Sequence, residues 1–536
     1  MFTQILDPVH SVLGSTLLAL VPVAVLLVAL ALFRLSAWQA VIVGGVVTVI
    51  EAIFVWHAPA GQVLTAYGLG AGTGFWSIDW IVFWGVVIYH TMVVTGAFDA
   101  FKNWLVNQAT ADIRVQTILI AWAFGALLEG LVGFGYPWAV VAPVLIAFGI
   151  ADLAAIRVAA LANNAPVSYG ALGAPIIGLA AVTGLPLLAL SASIGKIVAV
   201  LALAPPWILI YLVSGRRGLR TGWPLAIVGS LGYILGQYPT SQWLGPYLPD
   251  IIGSLVCFGA LLLLLRFWRP SVTLGYGGRE ITPAESVVDG SNSNRSTRAA
   301  WRGLLPFLIL VVVVVAWTGP WSPLPKYTPF APAVKALSSL SHAAVSTSWK
   351  FAPFVAGTAI LVSWLLIAAY LRPNGEQLRT VFGNTVRQMW GALLVGPLIF
   401  GLAESFNFSG MANSMANGFA KVGTGYVILA PILGWIAVAL SGSNTSANAV
   451  FGQFQLAVGR LLGAPVLLFP SLNSVGSEVG KPVAPQTASV GVATTRFVRN
   501  EGQVIRYNMG WTLIILLYLI GVGVLFYFVL PAAVRL

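Results

Sequence analysis

A glutamate that opens a glycine-rich run, Glu129-Gly-Leu-Val-Gly-Phe-Gly-Tyr-Pro137, and a lysine set between glycine and proline, Gly480-Lys-Pro-Val-Ala-Pro-Gln486, are the residues here best suited to chemistry. Both stand among strongly apolar sequence. An ionisable side chain at hydrocarbon depth is expensive, and chains that keep one there use it for pairing, proton transfer or contact with a charged solute. Glu129 is read as a proton carrier. Lys481 supplies fixed positive charge, either to a carboxylate solute or to the nearby Glu478. Two more polar stretches accompany them, Asn163-Asn-Ala-Pro-Val-Ser-Tyr-Gly-Ala-Leu-Gly-Ala-Pro175 and Ser441-Gly-Ser-Asn-Thr-Ser-Ala-Asn448.

These four stretches form two pairs, Glu129 with Asn163 and Ser441 with Gly476, each spaced by about 35 residues. Glycine and proline interrupt helices, and broken backbone at membrane depth is tolerated only where protein or a wet cavity receives it. Corresponding breaks in two halves of a chain point to the midplane binding site of a transporter. The helix N-termini at such breaks offer free N–H groups and partial positive charge to an anion. Close packing of small residues would explain one such motif, but explains two matched pairs poorly. On this reading Asn163, Ser168, Ser443, Asn444, Thr445 and Gln486 join Lys481 around a substrate carboxylate. Lys196, in the middle of an apolar run, is a further candidate for that charge. His90, in Tyr-His-Thr, is a candidate for proton coupling beside its plainer role as a satisfied core residue.

Other chemistries lack their residues. Cys257 is the single cysteine and lies in an apolar run, so there is neither a disulfide framework nor a thiolate metal site. The other histidines, His10, His57 and His342, have no ligand spacing, and no bound metal or cofactor is expected. There is no GxxxxGK[ST] phosphate loop, no HExxH and no paired aspartate motif, so the chain does not read as an enzyme.

The elements that position these residues are membrane spans. The 536 residues are 58% hydrophobic and only 8% charged, too few polar groups to cover a soluble surface. Runs of roughly 20 apolar residues cross the hydrocarbon layer. They are expected at 12–33, 39–56, 80–98, 158–180, 187–213, 224–240, 251–266, 304–320, 351–371, 388–403, 483–495 and 509–531. Interrupted or re-entrant elements are expected at 115–150 and 424–460. The fold class is thus an all-α polytopic membrane protein with about twelve spans, two interrupted elements and two inverted-topology repeats.

The net charge of +12 falls in short loops on one side, around Arg34, Lys102, Arg114, Arg157, Arg216 to Arg220, Arg266 to Arg302, Arg372 to Arg387 and Arg496 to Arg506. That is a positive-inside pattern, not a nucleic-acid groove, and it places both termini outside the cytoplasm. The opposite loops, including 57–79, carry little basic charge. A polar, Gly/Ser/Asn-rich stretch near 270–300 reads as a disordered cytoplasmic linker. It divides the chain into an N-terminal half, 1–269, a linker, 270–303, and a C-terminal half, 304–536. The stretch 321–350 reads as a longer outer loop with an interfacial helix.

The chain resembles the L-lactate permease family over almost its full length. The resemblance is carried by Phe124-Gly-Ala-Leu-Leu-Glu-Gly-Leu-Val-Gly-Phe-Gly-Tyr-Pro137, the Asn163 to Pro175 stretch, Gly434-Trp through Asn448, and Gly480 to Gln486. Thr95-Gly-Ala-Phe-Asp99 and Leu248-Pro-Asp-Ile-Ile-Gly-Ser254 support it. It implies a secondary carrier in the cell membrane that takes up L-lactate or glycolate with protons, without a cofactor, as a monomer or homo-oligomer. Family members carry aspartate in Gly-Ser-Asp-Thr-Ser where this chain has Asn444, often lysine at the His90 position, and arginine near Lys196. Loss of that carboxylate shifts any proton role onto Glu129. The neutral Ser-Asn-Thr cluster leaves sodium coupling, with another carboxylate such as a dicarboxylate, as the rival reading.

Overall fold

A computed structural model describes residues 1–108, 110–133, 135–281, 297–493, 495 and 500–536. In an apolar solvent, backbone N–H and C=O groups have no partner but one another, and the Leu/Val/Ala-rich runs accordingly wind into helices. In the first half these are α1 (Val12–Ala31), α2 (Ala37–Phe54), α3 (Ala60–Val94), α4 (Ala97–Gln108), α5 (Ile113–Leu131), α6 (Tyr136–Ala147), α7 (Asp152–Ala162), α8 (Gly170–Thr183), α9 (Leu187–Leu201), α10 (Pro205–Trp243) and α11 (Pro249–Phe267). The second half has α12 (Thr297–Thr318), α13 (Ala356–Leu371), α14 (Gly375–Ser409), α15 (Met411–Ser441), α16 (Asn444–Leu461), α17 (Leu468–Gly480), α18 (Pro485–Val492) and α19 (Glu501–Phe528).

Among the described residues, ten helical stretches are long and apolar enough to cross a bilayer. An eleventh is added if α7 and the helix after it, bent by 68° at their break, count as one span. Two of the twelve expected spans are not span-length helices, and the interrupted elements expected at 115–150 and 424–460 each overlap one that is, Ile113–Leu131 and Met411–Ser441. The stretch 483–495 is not a span: α17 stops at Gly480, Lys481–Val483 form a tight turn, and α18 has only 8 residues. Two prolines, Pro482 and Pro485, break the helix there. The span expected at 351–371 shortens to the 16 residues of α13. The spans expected at 187–213 and 224–240 are both present, as the two arms of one helical stretch, Leu187–Trp243. Gly215 (φ 64°, ψ −163°) folds it back on itself. Ser191 Oγ donates to the Ser241 carbonyl at 3.0 Å and Ser230 Oγ to the Leu203 carbonyl at 3.2 Å, the pairing of antiparallel arms about Gly215.

The loops also differ from expectation. Residues 60–79, read as loop, are the first part of α3, with a π-helical turn over Gly74–Asp79. Gly70 and Gly74 lie directly against the backbone of Phe400 and Gly396 in α14, the close approach that small residues permit. The stretch 321–350 carries a sheet in place of the expected interfacial helix, so the fold is not purely α. Strands β2 (Ala333–Leu337) and β3 (Ala344–Ser348) pair antiparallel with Ala333 opposite Ser348, and β1 (Phe2–Thr3) adds parallel to β2. The β-branched Val334, Val345 and Thr347 favour that pairing. Of the expected linker, 270–281 is ordered: Arg114 donates to the Val272 carbonyl at 2.7 Å and the Leu274 N–H donates to Asp112 at 3.0 Å. Residues 282–296 of it lie outside the described residues.

The two halves interlock reciprocally. The helix after the first break, α6, packs against α18, while its counterpart α16 packs against α8. The N-terminal strand and the β-hairpin share one end of the molecule. The C-terminus reaches Lys196 and Leu467 through Ala533 and Val534.

Candidate functional site

The glycine and proline motifs break four helices, and the breaks meet. After α5 the chain turns through Gly133 (φ 67°) and Gly135 (φ 75°) before Tyr136-Pro137 start α6. A β-carbon on Gly135 would come within 2.6 Å of Thr487 in α18, so only glycine lets these elements touch. In the bent span, Ala171 (φ 47°) and Leu172 (φ 57°) hold left-handed backbone without being glycine, followed by Gly173 (φ 80°). Such strain persists only where surrounding structure enforces it, and it concentrates at working sites. A β-carbon on Gly133 would sit 3.0 Å from that of Ala171, which brings the first two breaks together. Gly442 (φ 75°) separates α15 from α16, whose N-terminus Ser443 caps by accepting the Ser446 N–H at 3.2 Å. The Gln486 side-chain oxygen lies 2.9 Å from where a Gly442 β-carbon would be, joining the third break to the fourth.

At this meeting point Lys481 Nζ contacts Glu129 Oε1 at 2.5 Å, with both side chains buried. Asn163 Nδ2 donates to the other carboxylate oxygen at 2.9 Å. Gly170 lies against the same carboxylate, where a β-carbon would come within 2.6 Å of Oε1. A second cluster adjoins the first. The Ser168 N–H donates to Glu478 Oε1 at 2.7 Å, and Ser168 Oγ shares a hydrogen bond with Ser474 Oγ at 2.8 Å. Asn444 Nδ2 donates to the Ser474 carbonyl at 3.1 Å and reaches Ser168 Oγ at 3.5 Å. Asn448 and Asn473 extend this network behind it. Several buried atoms have no hydrogen-bond partner among the described residues: Glu478 Oε2, Asn444 Oδ1, Asn163 Oδ1 and both amide atoms of Asn164. Buried polar groups are normally satisfied, so an unpaired set on the walls of one centre is what a polar ligand or water would complete.

Of the residues singled out by sequence, Glu129, Asn163, Ser168, Asn444 and Lys481 come together here. Ser443 and the exposed Gln486 flank the third break beside them. Thr445 faces α8, where its methyl would touch a β-carbon on Gly178 at 3.4 Å. Lys481 pairs with Glu129, not with Glu478. His90 lies elsewhere, with Nε2 2.8 Å from Gln388 Oε1 on α14. Lys196 donates to the Ala533 carbonyl at 2.7 Å, tying down the C-terminus. Sequence reasoning missed Asp250, buried at the start of α11, and Ser474 in α17. An aspartate opening an apolar span is a signal that could have found the first.

A cavity of about 980 Å³ opens at the end that bears the β-hairpin. Its walls include Ile177 and Thr183 of α8, Thr347, Lys350, Glu404 and Arg460. Gly178, one residue beyond Ile177, packs against both Phe400 and Thr445, so this vestibule ends one layer above the third break.

Comparison with known proteins identifies the assembly these breaks belong to. A sequence model of the L-lactate permease family matches residues 15–531. The chain belongs to the L-lactate permease family. It is similar to the glycolate permease of Escherichia coli strain K12, at 32% identity over 96% of either chain. It is also similar to the L-lactate permease of Bacillus subtilis strain 168, at 31% identity over 96% of either chain. Among solved structures, the Alcanivorax borkumensis YdaH transporter covers 97% of this permease and 99% of its own chain, at 15% identity and a TM-score of 0.43. Neisseria gonorrhoeae MtrF gives 94% and 97%, at 12% identity and a TM-score of 0.48. Membership makes this chain a multi-pass membrane permease, not an enzyme. All four breaks fall within the matched residues.

Proposed function

We propose that this permease takes up L-lactate and related short 2-hydroxy monocarboxylates such as glycolate together with protons, by alternating access around the four breaks. The observation that carries the reading is the buried Lys481–Glu129 ion pair. One ammonium faces two claimants, the resident carboxylate and the substrate's. Taking a substrate anion onto Lys481 displaces Glu129, and a displaced carboxylate in that setting cannot stay charged without large cost. A proton on Glu129 removes the conflict. Substrate and proton thereby bind as a set, and the loaded centre is neutral apart from the paired anion and Lys481. With neither bound, Glu129 returns to Lys481, and that centre is neutral too. A half-loaded centre is the unfavourable state, which is the requirement for coupling.

Asn163, freed from Glu129, and Ser168, Ser443, Asn444 and Thr445 supply donors for the carboxylate and 2-hydroxyl, with the N-terminus of α16 adding partial positive charge. Gln486 closes the substrate against Gly442. The matched order of breaks and the reciprocal packing of α6 with α18 and α16 with α8 support inverted repeats that rock about this centre. The one-sided basic loops support an orientation with the vestibule and both termini outside the cytoplasm. The names of the glycolate and L-lactate permeases above support the substrate class.

Glu129→Gln tests the coupling. The variant is expected to exchange labelled lactate across liposomes while losing accumulation driven by a proton gradient. Retained accumulation in E129Q would contradict the assignment. A second reading, sodium coupling, rests on the unpaired Glu478 Oε2 and Asn444 Oδ1 beside two serine hydroxyls. A strict sodium requirement for uptake at fixed membrane potential would favour it.

A further inference from the structure

Asp250 is the second residue of α11, is 1% exposed and plays no part in the exchange of Glu129 for substrate. An acid in the first turn of a helix usually owes its place to the free backbone N–H groups there. Asp250 departs from that pattern. The helix start has no side-chain cap hydrogen bond. Its Oδ1 accepts the Tyr233 hydroxyl at 2.7 Å, and Oδ2 has no partner among the described residues. Asp250 packs against the helix turn that carries Glu129: a β-carbon on Gly130, the next residue, would come within 2.7 Å of Asp250 Cβ.

The charged and titratable groups that face Asp250 are Tyr233 from α10, Tyr169 from the turn before α8, Glu129 from α5, Glu478 from α17 and Lys481 from the turn after it. Three buried carboxylates therefore share one buried ammonium, and that ammonium is in contact with Glu129. A third feature concerns backbone strain. The segment leading into Asp250 passes through Gly245 (φ 87°), and the Pro246 carbonyl oxygen lies 2.5 Å from where a β-carbon on Gly173 would be. The segment that leads into Asp250 is thus packed on the left-handed turn of the bent span, where backbone strain is held.

We propose that Asp250 is a second proton-binding site of this carrier, loaded and emptied only when Glu129 is, so that two protons accompany each substrate anion and E129Q loses both. This rests on Glu129 being the first proton site. The proton on Asp250 occupies Oδ2 while Tyr233 continues to donate to Oδ1, so binding requires no rearrangement of the existing hydrogen bond. Two protons with one monovalent anion make uptake electrogenic, carrying one net positive charge inward per cycle.

The test is the reversal potential of L-lactate flux in liposomes containing the purified full-length permease, with potassium and valinomycin setting the voltage and known pH and lactate gradients. The wild type is expected to reverse at the voltage for two protons per lactate, and Asp250→Asn at the condition for one, with flux insensitive to voltage. Tyr233→Phe, which keeps the carboxyl, is expected to retain the ratio of two. A wild-type ratio of one, or a ratio of two in D250N, overturns the second site while leaving Glu129 in place. Absence of proton-driven uptake in the wild type overturns the Glu129 role along with it. If D250N fails to insert, the wild-type ratio still decides.

Discussion

Lys481 and Glu129 invite a double-mutant cycle, because their roles predict an unusual pattern. Lys481→Met leaves Glu129 buried with Asn163 as its remaining partner, and Glu129→Gln leaves Lys481 buried without its contacting counter-ion. Removing one member of a buried ion pair costs about 3–5 kcal/mol, whereas replacing both by neutral groups of similar size is often close to neutral. At about 1 °C per kcal/mol for a chain of this length, each single variant is expected to melt roughly 3–5 °C below wild type. The double variant should recover most of that loss. Substrate adds the decisive arm. Lactate at a hundred times its dissociation constant stabilises by about 2.7 kcal/mol. In E129Q its carboxylate takes the empty place on Lys481, so lactate should restore more than half of the lost stability, independently of pH. In wild type the same stabilisation should weaken as pH rises, by up to about tenfold in affinity per pH unit for one proton taken up with the anion. In K481M lactate should do nothing. The assay is thermal unfolding of purified protein, with and without L-lactate, across pH. Additive losses in the double variant, or equal lactate stabilisation of K481M and wild type, would refute the shared-ammonium reasoning.

Three further outcomes follow from neighbouring geometry. His90→Gln should keep proton-driven accumulation, since the His90 ring meets Gln388 and not the central pair; lost coupling with intact lactate exchange would restore His90 as a coupling group. Gly130→Ala forces a methyl to within 2.7 Å of Asp250 Cβ, an overpacking expected to cost about 1–3 kcal/mol, and an unchanged melting temperature would show that α11 shifts freely. Asn444→Asp removes the donors to Ser474 and Ser168 and adds a carboxylate beside Glu478; lactate exchange should fall at neutral pH and recover as pH drops and the new acid is protonated, whereas a pH-independent loss would count against it.

How much of this was legible in the sequence divides along physical lines. Apolar length alone located α1, α2, α11, α12 and α19, because hydrocarbon thickness sets that length. The four breaks were legible because glycine and proline at membrane depth need a reason. Their meeting was not: Glu129 and Lys481 are separated by 352 residues, and nothing local says that they touch. Hydropathy mistook 483–495 for a span, although Pro482 just before it and Pro485 inside it forbid one continuous helix. It also missed the helix over 60–79, whose glycines look like loop and serve instead for contact with α14. Asp250 went unread because its hydrogen-bond partner and its closeness to Gly130 belong to the packed structure.

The central claim is coupling of a monocarboxylate to protons through Glu129, and uptake of radiolabelled L-lactate by the purified permease in sodium-free liposomes tests it most directly. With an inward proton gradient, lactate is expected to rise above equilibrium in wild type, to collapse with a protonophore, and not to accumulate in E129Q. Accumulation that needs sodium and ignores the proton gradient would contradict the account.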